Sequence, residues 1–329
     1  MADPLVTVAI PVKDGENFLG AALDSILAQD FGDFRVFISE NGSSDGTLDV
    51  IRDYAARDAR IEYASDPVPM GQSPNHTKAV VEATTPWVKL LCHDDLLRPD
   101  CMTQVAAAIR SADERVALIG NGHRHLFANG FALDHRRGGA ARRYDGPSAV
   151  RAFLGGRADF SLPAISTACV RKSAFVAIGG FDSRWQHHDT MGWLNLLTRH
   201  NLIYLPDTLT DVRIHEGQIT HELRKSLRVV EDWQAFLPEF VAAHGDVLDL
   251  SPALRARLRL MPANVGARAV ALEWRAGRRA KALALLRELP AAWWPLMPPL
   301  IARALIVESR RVAPLKGRVE AGELVPDAG

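Results

Sequence analysis

Short β-rich runs alternate with amphipathic helical runs through the first 120 residues, and this alternation restricts the fold more than any other feature. Residues 5–10 (LVTVAI) have a strand pattern, which Pro11 is expected to close. In residues 18–29 (FLGAALDSILAQ), Leu19, Ala22, Leu23, Ile26 and Leu27 fall on one helical face. Further strands are expected at 34–39, 61–64, 87–91 and 116–120, with helices between them. Pro99 sits where a first-turn helix proline would, ahead of a helix running to Ile109. Strand and helix alternating at this spacing imply βαβ units and a mainly parallel sheet. In such sheets ligands bind outside the carboxyl ends of the strands. The polar turns 40–45 (ENGSSD) and 93–95 (HDD) both stand at such ends, so they are candidates for one site.

Residues 123–160 are rich in glycine and arginine and read as a mobile loop with one short helix at 147–154. A strand near 167–170, a helix from Ser173, the turn GGFD, a helix at 189–199 and extended pieces at 202–205 and 208–214 follow. Beyond Thr220 the sequence becomes helical and rich in Ala, Leu and Arg. The expected division is residues 1–222 as an α/β domain and 223–329 as an α-helical region.

Composition excludes several classes. The 39 Lys/Arg balance the 39 Asp/Glu, so bulk charge gives no argument for nucleic acid as partner. Three cysteines without a CxxC pair fit a reducing compartment better than a disulfide scaffold. The start lacks a basic signal-peptide region, and no run reaches the roughly 20 apolar residues of a spanning helix. A cytoplasmic protein is expected, or one peripheral at the inner face of the membrane. There is no GxxxxGK[ST], no GxGxxG after a strand and no GxSxG. His215-Glu216 and His221-Glu222 lack the second histidine of a zinc protease.

What remains is polar groups at strand ends. Asp94 and Asp95, adjacent acids after an apolar run, could hold a hard cation against a diphosphate. Equally, one could cap the next helix while the other is solvated.

The motifs resemble those of family 2 glycosyltransferases, which have the GT-A fold. PVKDGENFLGAALDSILAQDFGDFRVFISENGSSDGT is similar to the family's opening. GQSPNHTKAVVEATTPWVKLLCHDDLLRPD is similar to its metal-motif segment, and GGFDSRWQHHDTMGWLNLL to its later acidic segment. The resemblance covers about residues 5–220. It implies a GT-A-like (Rossmann-like) mixed, mainly parallel sheet flanked by helices, followed here by the helical C-terminal region. It implies a nucleoside-diphosphate sugar donor, a divalent cation (Mn²⁺ or Mg²⁺), and a sugar, glycan or lipid-linked acceptor. Inverting transfer in cell-surface polysaccharide or glycolipid synthesis is the expected activity.

Residue by residue, the resemblance puts Pro11, Glu40, Asn41, Ser43, Asn75, His76, His93, Asp94 and Arg213 near the donor. Asp94, Asp95 and His215 are the expected metal ligands. Asp189, on the acid of the family's ED pair, is the expected catalytic base, with His188 replacing the glutamate. Cys92 stands where many members carry the first aspartate. A non-catalytic nucleotide-sugar-binding or scaffolding homologue is the alternative. A sugar nucleotidyltransferase is disfavoured, because no glycine-rich basic loop follows the first strand.

The C-terminal stretch carries 14 Lys/Arg against 6 Asp/Glu from Ser251 to Gly329, together with Trp293, Trp294, Leu296, Met297, Leu300 and Ile301. Two readings follow: a peripheral contact with an anionic membrane, or a helical bundle that closes over the α/β domain or forms a homo-oligomer such as a dimer. Interrupting prolines favour the bundle.

Overall fold

The computed structural model describes residues 4–127, 130–134, 139–157, 160–215, 218 and 227–306. The chain divides into two compact units, one holding Met1–Phe127 and Ala132–Ile214, the other Ala128–Phe131 and His215–Gly329.

The first unit is built on β1 (Val6–Val12), β2 (Phe34–Asn41), β3 (Ile61–Asp66), β4 (Trp87–Leu90), β5 (Leu96–Leu97), β6 (Val116–Phe127), β7 (Ala132–Asp134), β8 (Arg142–Tyr144), β9 (Ala168–Arg171) and β10 (Asn201–Ile214). Its helices are α1 (Glu16–Leu27), α2 (Thr47–Arg57), α3 (Gln72–Glu82), α4 (Cys101–Ser111), α5 (Gly146–Leu154), α6 (Lys172–Ala177) and α7 (His188–Leu197). The strands join in one mixed sheet of order β3-β2-β1-β4-β9-β6-β10-β5, with β7 on β6 and β8 on β10. β3, β2, β1 and β4 are parallel neighbours, whereas β9 runs antiparallel to both β4 and β6.

α1 buries Leu19, Ala22, Leu23 and Ile26 against the sheet, which is the face its apolar spacing marks out, and Leu27 packs at the edge. Pro11 does not close β1. It lies inside the strand opposite Ser39. The Ala9 carbonyl accepts from Leu91 N–H, so the backbone groups of Ala9 and, two residues on, Pro11 face β4. β4 is paired only as far as Ala9, so the missing proline N–H breaks no ladder bond.

Two more expectations need correction. Residues 123–160 hold more than a loop and the expected short helix, α5: β6 runs on to Phe127, paired with β10, and β7 and β8 come before α5. α4 begins at Cys101, two residues after Pro99, with Asp100 as its cap residue.

The GGFD turn has a steric reason for its glycines. Gly179 and Gly180 have φ of 86° and 77°, and a Cβ on Gly180 would lie 2.6 Å from Thr77 Cγ2. Gly180→Ala is expected to destabilise the protein by about 1–3 kcal/mol. Urea denaturation checks this, and an unchanged midpoint would refute it.

The second unit holds α8 (Arg228–Leu248), α9 (Pro252–Arg275) and α10 (Arg279–Glu288), with α9 packed against the other two. It has its own apolar cluster of Leu227, Val230, Ala263, Ala267, Val270, Ala282, Leu285, Leu289 and Met297. Among the described residues, no helix is long and apolar enough to cross a membrane.

Candidate active site

The chain builds β1, β2 and β3 outward on one side of β1, then returns to place β4 on the other. This reversal opens a crevice at the carboxyl ends of β1 and β4, where open α/β sheets bind ligands. The turns after β1, β2 and β4 border it.

The turns after β1 and β2 are tied together. Asp14 N–H donates to Ser43 Oγ at 2.9 Å, and Ser44 N–H to Asp14 Oδ1 at 2.8 Å. Glu16 N–H donates to Asp45 Oδ2 at 3.1 Å, and Gly46 N–H to Glu16 Oε2 at 3.0 Å. Glu40 is buried and accepts from Ser43 N–H at 2.6 Å and from the Ser65 hydroxyl. Asn41 accepts from Met70 N–H at 2.8 Å and donates to the Gly71 carbonyl at 3.3 Å, fixing the entry to α3. Glu40, Asn41 and Ser43 therefore set the shape of this rim, where the family resemblance puts donor contacts.

The turn after β4 brings one ligand atom each of Cys92, Asp94 and Asp95 within 4.8 Å of one another. The two acids differ. Asp95 is 4% exposed and accepts from Arg213 N–H at 3.0 Å and from the Ser166 hydroxyl. Burial, reinforced by the Asp94 charge, pushes its carboxyl up to about 7. Asp94 is half-buried, and its carbonyl accepts from Arg213 Nε. The Arg213 guanidinium also donates to the Phe18 carbonyl at 3.1 Å and lies over the Phe18 ring. Burial and the charges of Asp95 and Asp94 hold the Cys92 thiol well above its usual range. A protonated thiol beside carboxylate oxygens suits a hard, oxygen-seeking cation through the acids rather than a thiolate-bound metal.

Sequence reasoning missed the groups behind this turn. Lys89 on β4 is fully buried, and its ammonium donates to the carbonyls of Ser166 and, at 3.1 Å, Leu90. Burial pulls its pKa down. The Ser166 hydroxyl accepts from Cys92 N–H at 2.9 Å and donates to Asp95. A lysine inside an apolar strand and a serine 74 positions from Cys92 leave no local signal in the sequence.

α3 and α7 carry the remaining expected residues. Asn75 Oδ1 accepts from the Ser39 hydroxyl at 2.7 Å, and its amide donates to the Ser39 carbonyl at 3.1 Å. His76 meets His188 at 2.8 Å. Asp189 lies in the first turn of α7, half-buried, accepting from Thr190 N–H at 2.7 Å. Its charge acts on both the Cys92 thiol and His188, which places it in electrostatic reach of the acid turn. His93 packs so close to Gly15 that a Cβ there would lie 2.7 Å from its ring. His215 opens the longer segment of the second unit and is not a member of the Cys92–Asp94–Asp95 cluster.

Residues 7–150 match the family model described as Glycosyl transferase family 2. This stretch, less than half of the chain, is similar to family 2 glycosyl transferases. It contains β1 to β6 and the acid turn. The chain is 24% identical over 196 residues to the GalNAc(5)-diNAcBac-PP-undecaprenol beta-1,3-glucosyltransferase of Campylobacter jejuni, spanning 59% of this chain and 60% of that one. Its fold is similar to S. aureus TarS 1–349 in complex with UDP-GlcNAc, with TM-score 0.60, 14% identity, and 94% and 92% of the two chains covered. It is also similar to the mannosyltransferase PcManGT of Pyrobaculum calidifontis in complex with GDP-Man and Mn²⁺, with TM-score 0.57, 18% identity, and 93% and 87% covered. The chain thus carries the expected GT-A-like fold, a mixed, mainly parallel sheet flanked by helices, followed by the helical C-terminal region.

Proposed function

We propose that this protein is an inverting glycosyltransferase that uses a nucleoside-diphosphate sugar and a divalent cation, acting in cell-surface polysaccharide or glycolipid synthesis. What carries the reading is one convergence: Asp94 and Asp95 cluster with Cys92 on the turn after β4, and the charge of Asp189, from the first turn of α7, acts on that same Cys92. The Campylobacter relative, named for an undecaprenol-linked substrate, supports a lipid-linked or glycan acceptor.

Asp94, the more accessible acid, would hold the cation, and Asp95 would anchor the turn to Arg213. A bound Mg²⁺ or Mn²⁺ supplies Lewis-acid stabilisation of charge on the leaving diphosphate. Asp189 accepts the proton of the acceptor hydroxyl as that oxygen bonds to the anomeric carbon. The bond from that carbon to the diphosphate breaks on the opposite face, through an oxocarbenium-like transition state. Arg213, on β10 and hydrogen-bonded to the Asp94 carbonyl, adds positive charge for the diphosphate. The rims built by Glu40, Asn41, Ser43 and Asn75 would receive the nucleoside.

The test is nucleotide release from UDP- and GDP-sugars, with undecaprenyl-linked and free glycan acceptors, with and without Mn²⁺ or Mg²⁺. Metal-dependent release that rises with acceptor is expected. The protonated thiol of Cys92 at a usual aspartate position favours the second reading, a binding module. Donor binding without turnover under any acceptor would select it.

For the C-terminal unit we propose a helical bundle, supported by its own apolar cluster. Full-length protein is expected to stay in the supernatant with anionic vesicles. Sedimentation that a neutral vesicle does not produce would select the peripheral membrane contact, for which the exposed Trp274 and Trp294 are the candidates.

A further inference from the structure

We infer that the buried His76–His188 pair is a positioning device that fixes the first turn of α7, and with it Asp189, against α3. This rests on the glycosyl-transfer reading above and assigns a role to two histidines that the mechanism leaves idle.

Each histidine is 5% exposed, and they come from elements 112 residues apart. His76 Nδ1 lies 2.8 Å from His188 Nε2, so only one of these two nitrogens carries a proton. His188 also donates to the Gln186 carbonyl. With Nε2 turned to His76, Nδ1 is the nitrogen left to make that bond. His188 Nε2 is then the acceptor, and His76 Nδ1–H the donor. The proton order is fixed along a chain from His76 through His188 to the Gln186 carbonyl, with both rings neutral. The charged or titratable groups acting on the pair are His93, His187 and Asp189, and burial outweighs them, holding His76 down to about 3.

The pair anchors a helix start whose cap residue supplies no side-chain cap. His187, the cap residue of α7, makes no side-chain capping bond. His188 instead packs edge-on to Phe181, with ring centroids 5.2 Å apart, and Phe181 packs on Trp193 at 5.1 Å. α3 grips the same Phe181, through the Ser73 hydroxyl to its carbonyl and through its N–H to Thr77 Oγ1. α3, the GGFD turn and the first turn of α7 are thereby one block, and Asp189 follows His188 directly. A carboxylate serving as base works only at near-attack distance, and misplacement by about 1 Å can lower turnover about 10²-fold.

Glutamine at position 188 can put Oε1 where Nε2 accepts, whereas leucine leaves the His76 N–H buried without an acceptor. With the UDP- or GDP-sugar that gives the fastest nucleotide release, His188→Leu is expected to lower kcat by about 10–10²-fold. Donor KM should stay within about threefold, and His188→Gln should recover most of the loss, because it keeps the acceptor. Equal kcat for His188→Leu and wild type, equal losses for Leu and Gln, or a loss confined to KM overturns the positioning role. A wild-type protein that releases no nucleotide from any donor overturns the glycosyl-transfer reading itself, and this role with it. Should His188→Leu fail to fold, ¹⁵N–¹H correlation spectra of the wild-type imidazoles decide. Neutral Nδ1–H tautomers of both rings at pH 6 are expected, and an Nε2–H tautomer of His188 refutes the arrangement.

Discussion

Asp189→Asn is expected to lower turnover by about 10²–10⁴-fold, the range that a positioned general base contributes. The substitution isolates the proton-accepting function. An asparagine carbonyl oxygen can still accept from Thr190 N–H, the 2.7 Å contact that Asp189 makes at the start of α7, so the helix keeps its first turn. What is lost is the negative charge and the basicity. Donor binding is expected to stay within a few-fold of wild type, because Asp189 lies on α7 and not on the turns after β1, β2 and β4. A loss in kcat with donor KM preserved is the signature of a group acting in the transition state alone. Single-turnover nucleotide release with saturating donor and acceptor makes the measurement. Turnover within threefold of wild type would sink the assignment of the base. It would leave the acid turn after β4 as the part of the site still to be explained.

The elements legible in the sequence are those whose signal is local. The apolar spacing of α1 selects a face, and the structure buries Leu19, Ala22, Leu23 and Ile26. The alternation of strand and helix gives β1 to β4 in order and sets their polar turns at one end of the sheet. The failures have one physical origin, pairing over long sequence distance. A strand near 167–170 is expected from the sequence, but the central, antiparallel place of β9 in the sheet is not, because that place comes from β4 and β6 flanking it. The histidines and arginine of β6 read as loop, yet pairing with β10 carries the strand through to Phe127. Pro11 reads as a strand terminator until the reach of β4 is known. In the site, the acids of the turn after β4 are visible as a motif, but their inequality is not. That comes from Ser166 and Arg213, each distant in the chain, and from the burial of Asp95. The same holds for His188, which stands beside a recognisable acid but acquires a partner only when α3 arrives.

That inequality decides the other large expected effect. Asp94→Asn is expected to weaken Mn²⁺-dependent donor binding by at least about 10²-fold, since loss of even an outer-shell partner of a metal ligand lowers affinity 10–100-fold. Treatment with EDTA should do the same to wild type, and added Mn²⁺ or Mg²⁺ should restore binding to wild type alone. Asp95→Asn should behave differently. Its carboxylate holds Arg213 N–H and the Ser166 hydroxyl inside the protein, so the main loss should appear as lowered thermal stability. Cys92→Ser should leave metal-dependent binding nearly unchanged, because burial and two neighbouring acids keep the thiol protonated and a protonated thiol is a poor ligand for a hard cation. Isothermal titration of UDP and GDP with and without Mn²⁺ separates the three. The outcome fatal to the assignment is equal nucleotide binding by wild type and Asp94→Asn, both insensitive to EDTA. If Asp94→Asn alone loses binding, one accessible carboxylate suffices where many relatives place two. Lys89, Ser166 and Arg213 would then account for how the turn tolerates its second acid, by holding Asp95 in place from within.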